Sequence, residues 1–174
     1  MKAKMSTQRI PDLEEKCVRA IVGQALEKYT EAQSESDEVA LDSTRRSLTR
    51  IHTLLERICA TMNEAWVFEI TAFFHEQVGQ DTKVFENLMK EYRSLTSVRA
   101  WEKDDFQVCK VCQVVSLIVH YQQDGKENLA KSKFLLSGTL KRVEKARADM
   151  KVMPKELETL KSLLEKVTNE LKSN

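Results

Sequence analysis

Glycine and proline are scarce, with four and two copies in 174 residues; that is about 3 % of the chain, where average usage is roughly 12 %. A β-sandwich, a barrel or a glycine-rich nucleotide-binding fold needs such turn residues at short intervals, so each of these is excluded. An excess of one charge is also missing. Lysine and arginine number 28 against 27 aspartates and glutamates, a net charge of +1. So balanced a chain carries no long-range field for a nucleic-acid backbone or an anionic membrane. No apolar run approaches the roughly 18 residues of a membrane span, and none of signal-peptide length follows Lys2 and Lys4. The expectation is an intracellular protein of the cytoplasm or nucleus, with no membrane association and nucleic acid disfavoured as a partner.

The signatures of phosphate binding, acyl transfer, zinc proteolysis and dinucleotide binding are absent: there is no P-loop, GxSxG, HExxH or GxGxxG. We therefore expect no catalytic residues, no cofactor and no metal.

What the chain does have is apolar periodicity at helical spacing, with 41 % hydrophobic and 32 % charged residues. Residues 1–10 are read as a flexible N-terminus. Pro11 suits a first helical position, and Asp12, Glu14 and Glu15 complement the helix dipole behind it. Leu13, Cys17, Ala20, Ile21 and Gln24 follow one face of this helix, and Val18, Val22, Ala25 and Tyr29 follow another. Such a broad stripe predicts packing on two sides. The polar stretch 32–38, with cap candidates Ser34, Ser36 and Asp37, is the first turn.

Leu41, Leu48, Leu55 and Met62 then recur every seven residues, joined by Ile51, Ile58 and Ala65. Arg45, Arg46, Thr49, Glu56 and Arg57 fill the opposite, solvated side. Asn63 is the expected cap of a further helix carrying Trp66, Val67, Ile70, Phe73, Phe74, Gln77 and Val78. This is the densest aromatic load in the chain, and it predicts a central position. Gly79 stops that helix, and Asp81 opens the next, with Val84, Phe85, Leu88, Met89, Tyr92 and Leu95 on its inner side. A short loop or single helical turn around Trp101 follows, with Asp104 or Asp105 as a cap.

The run 106–121 admits two readings. Val108, Val111, Val114, Val115, Ile118 and Val119 are strand formers, and Asp124-Gly125 is a hairpin signal. Its length and the lack of any pairing partner favour helix, with Gly125 as its stop. Beyond it, Leu129, Leu136, Val143 and Met150 mark another heptad row with a basic outer face. After Pro154, the row Leu157, Leu160, Leu164, Val167 and Leu171 is the most regular in the chain. Two heptads do not hold a helix alone, so this one must lean on the body or on a second copy.

Side chains capable of chemistry have a structural reading as well. Cys109-Lys-Val-Cys112 has the spacing of a zinc pair or a redox dithiol. No second pair accompanies it, however, and no βαβ context surrounds it, so core packing uses the same residues. His52, His75 and His120 lack the Glu-x-x-His spacing of carboxylate-bridged metal sites and are read as surface or boundary residues. Two basic clusters, Arg45, Arg46 and Arg50, and Lys141, Arg142, Lys145, Arg147 and Lys151, are interleaved with acids and read as solvated faces.

The sequence thus predicts an all-α, antiparallel bundle of six to eight helices. Its outline is that of helical repeats, although no repeat is legible. A bundle domain over 11–153 is followed by an amphipathic helix over 154–174. The expected function is non-enzymatic: a protein–protein interaction module or scaffold of an intracellular complex, offering apolar stripes to an amphipathic helix, a short peptide or a second copy of itself. Leu157, Leu160, Leu164, Val167 and Leu171 are the expected partner-binding row. The alternative is a nucleic-acid-binding helical domain that uses the basic faces at Arg45–Arg50 and Lys141–Lys151.

Overall fold

The computed structural model describes residues 11–174, so the expected flexible segment 1–10 lies outside the described residues. Among these residues there are seven α-helices and no strand: α1 (Leu13–Glu35), α2 (Glu38–Thr61), α3 (Ala65–Gln77), α4 (Asp81–Thr96), α5 (Asp105–Tyr121), α6 (Lys126–Ala146) and α7 (Glu156–Ser173). A single 3₁₀ turn, Trp101–Lys103, precedes α5. The all-α expectation holds, and the ambiguous run 106–121 is helix. No described helix is long and apolar enough to cross a membrane. Contacts divide the chain into two compact units, with the boundary between Asn87 and Leu88 inside α4.

In the first unit, α1 and α2 form an αα-hairpin whose link is only Ser36 and Asp37. Ser36 takes a left-handed conformation, and the Asp37 carboxylate accepts from Val39 N and Ala40 N, both at 3.1 Å. The first helix starts two residues later than expected. Asp12, not Pro11, closes it, accepting from Glu15 N at 2.8 Å, because a carboxylate satisfies a free N–H that proline cannot. Helix α3 begins after Glu64 rather than after Asn63.

The core joins Val22 and Leu26 of α1, Leu48, Ile51 and Leu55 of α2, and Trp66, Val67, Ile70 and Phe74 of α3. Burying each such side chain contributes on the order of 1.5–3 kcal/mol before chain entropy is set against it. The two-sided packing expected of α1 does not occur. The Val18, Val22, Ala25 and Tyr29 face enters the core, whereas Leu13, Cys17, Ala20, Ile21 and Gln24 are exposed.

In the second unit, α5, α6 and α7 pack on one another, and the 3₁₀ turn packs on α5 and α6. Asp104 caps α5 through Gln107 N at 3.0 Å. Val108, Val111, Val115 and Ile118 are fully enclosed, together with Leu136, Val143, Leu157, Leu160 and Trp101. Gly125, expected to stop α5, instead precedes α6 with φ at 87°, a conformation that favours glycine, while Gln122 ends α5.

Candidate interaction surfaces

The expected partner-binding row is turned toward the chain itself. Leu157, Leu160 and Val167 are buried within the second unit, and Leu164 and Leu171 are half-buried. The outer side of α7 is polar, with Lys161 3.5 Å from Glu144 of α6 and 3.4 Å from Glu158. Burial against α5 and α6 supplies the packing that two heptads lack.

The four cysteines are free. Cys112 is buried and Cys109 half-buried, where the latter's thiol donates to Glu156 Oε1 at 3.3 Å. Burial raises both thiol pKa values, and the Glu156 carboxylate raises them further; Cys112 is pushed up to about 12. Both therefore stay protonated, which suits core packing rather than nucleophilic or metal-ligating chemistry. Among the described residues, no three His, Cys, Asp or Glu side chains converge as metal ligands would.

The histidine expectation needs correction at one position. His75 is 2 % exposed, its Nδ1 has no hydrogen-bond partner, and its pKa is lowered by burial and then by His52. It belongs to α3, whose apolar load carries it inward.

The second basic cluster is also corrected. Arg147 does not stand on an outer face but is 2 % exposed. Its guanidinium donates to Asp105, to Glu102 O at 3.5 Å and to Val152 O at 3.3 Å. Arg142, in turn, pairs with Glu102 and lies 5.2 Å over the Trp101 ring. Arg147 alone leaves the solvated face; Arg142 stays exposed there, in the kind of surface ion pair that the interleaved acids predict.

The first basic cluster is different. Tyr29 of α1, Arg45, Leu48 and His52 of α2, and Phe74 and Val78 at the end of α3 line an open groove of about 370 Å³. A second groove of about 310 Å³ runs on along α2 past Arg50, Leu54 and Arg57, and Thr49 lines both. Neither lining contains a carboxylate. Among the described residues, Arg45, Arg50 and Arg57 have no ion-pair partner, whereas Arg46 is paired with Asp42 at 2.7 Å. The heptad pattern marked the buried side of α2, and the interleaved acids suggested that its outer side was neutralised. Asp42 and Glu56 instead serve Arg46 and His52.

No known protein family matches this chain, and no curated protein or solved structure is similar to it.

Proposed function

We propose that the chain is a protein–protein interaction module that receives an acidic amphipathic segment along α2. The observation that carries this reading is the pair of grooves that share Thr49, the first with apolar side chains in its lining and the second with Leu54, bordered by three arginines that have no carboxylate partner among the described residues. Half-buried Tyr29 and Val78 offer an apolar seat for a partner's side chain over the enclosed Leu48 and Phe74, and Arg45, Arg50 and Arg57 favour carboxylates spaced along the same segment. A binding role rather than a catalytic one is supported by the protonated state of Cys109 and Cys112 and by the enclosure of His75. Self-association through α7 has weaker support, since Leu157, Leu160 and Val167 already close the second unit.

The test uses a fluorescent helical peptide with leucines at helical spacing and glutamates between them, titrated into the full chain. Arg45→Glu with Arg50→Glu, both at exposed positions, is expected to weaken binding by about tenfold or more without changing helicity. Equal binding of a peptide with lysine in place of every glutamate defeats the proposal. So does tighter binding of a single-stranded oligonucleotide with a steep salt dependence, which would favour the nucleic-acid reading of Arg45–Arg50 instead.

A further inference from the structure

Residues of the second unit line a separate open cleft of about 470 Å³ where the start of α5, the segment after α6 and the first residue of α7 converge. Phe106, Val152 and Pro154 form its apolar part, and Asp105, Arg147 and Glu156 its charged part. Two features set it apart from an ordinary surface dent. Arg147 is a built, buried element: three hydrogen bonds hold its terminal nitrogens, yet its Nε–H has no acceptor. A buried donor without a partner is costly, so an arriving acceptor is favoured there. The second feature is charge. Arg147 balances Asp105, but no cation among the cleft's lining residues balances Glu156, which receives only the thiol proton of Cys109 at 3.3 Å.

A guest suited to both features carries a positive donor and an acceptor close together beside an apolar group. A carboxylate or phosphate guest meets the unbalanced Glu156 and is repelled. A bare metal ion satisfies the acids but gives nothing to Arg147 Nε. The N-terminal residue of a peptide satisfies all three requirements: its ammonium faces Glu156, its carbonyl oxygen accepts from Arg147, and its side chain lies on Phe106, Val152 and Pro154.

We propose that this cleft is a binding site for the free amino terminus of a peptide whose first residue is apolar. The site is independent of the grooves along α2 and takes a guest of opposite charge. Exposed Met150, Val152 and Met153 on the segment between α6 and α7 extend the apolar surface beyond the cleft.

The experiment titrates leucyl-alanine amide into the full chain near neutral pH and follows it by NMR chemical shifts. Binding is expected with the largest shifts around Phe106, Cys109 and Glu156. Acetylating the probe's amine is expected to weaken it by about tenfold, the scale of one lost charge-assisted hydrogen bond. Glu156→Gln should weaken the unmodified probe similarly, and Phe106→Ala should weaken both forms. Failure of the free dipeptide amide to bind overturns the proposal, as does equal binding of its acetylated form. Nα-acetyl-lysine amide is the further arm: if its side-chain ammonium binds as well as the free amino terminus, the site is a lysine pocket and the assignment is wrong. Because the two probes are compared on the unmodified chain, the result does not depend on either variant folding.

Discussion

The imidazoles of His52 and His75 meet edge to face, with ring centroids 5.3 Å apart and planes at 77°. His75 is enclosed beneath α2, whereas half-buried His52 lines the groove and has Glu56 3.5 Å from its Nε2. Protonating the inner ring would place a cation in a core already facing His52 and Lys83, with Glu56 as the only carboxylate that favours it. That arrangement makes His75 responsive to acid.

The pKa of His75 is lowered by burial below the ordinary value of about 6.5. Its contribution to stability is therefore complete above that value. As the pH falls through it, the unfolded chain takes up a proton that the folded chain refuses, and stability declines until the folded pKa is reached. Urea denaturation at about pH 7.5 and about pH 5.5 should show a lower midpoint in acid, and His75→Gln should reduce that difference. An unchanged difference in the variant would assign the acid sensitivity to other groups.

The cysteines should react in the order of their exposure. Cys17 lies open on α1, Cys59 and Cys109 are half-buried, and Cys112 is enclosed with its pKa near 12. At about pH 8, such a thiol is ionised to only about one part in ten thousand, before any barrier to reagent entry is counted. Native-state alkylation followed by mass spectrometry should label Cys17 first and Cys112 only after denaturant is added. Fast labelling of Cys112 in the folded chain would contradict its enclosure.

The legible features of the fold were those that local spacing controls. The a/d row of α2 from Leu41 to Ile58, the stop at Gly79 and the cap at Asp104 depend on residues within a few positions and are where the pattern puts them, whereas Met62 and Ala65, the last members of that row, fall at the C-cap of α2 and the start of α3. Helix won over strand at 106–121 because its β-branched residues are enclosed on several sides of the unit, so packing overrides propensity. The reading was weaker where the deciding partner is distant in sequence. Arg147 looked solvated because Asp105, its partner, is 42 residues away. His75 looked like a boundary residue because neither its neighbours Phe74 and Glu76 nor its spacing reveals that α2 covers it. Leu13 and Ile21 of α1 looked like core for the converse reason: an apolar stripe shows what a helix offers, while burial requires another element to accept it. The α2 grooves were hidden in the same way, since ion pairing depends on which acid each arginine meets.

The row on α7 gives the sharpest test of local packing against partner binding. Leu160 is 0 % exposed, whereas Leu164, one turn further on, is half-buried. If α7 closes its own unit, Leu160→Ala leaves a cavity between α7 and its neighbours and should cost about 2–5 kcal/mol; Leu164→Ala should cost distinctly less, about 1–2 kcal/mol. Leu160→Asp is more severe, because an unpaired carboxylate would then face the side chains of α5 and α6. Thermal denaturation, read by circular dichroism, distinguishes the two roles. An enclosed Leu160 predicts a marked drop in melting temperature for the monomer at any protein concentration. A row that faced a partner would instead leave the monomer's melting unchanged in Leu160→Asp while abolishing self-association in sedimentation, and that outcome would return Leu157, Leu160, Leu164, Val167 and Leu171 to the role of an interface.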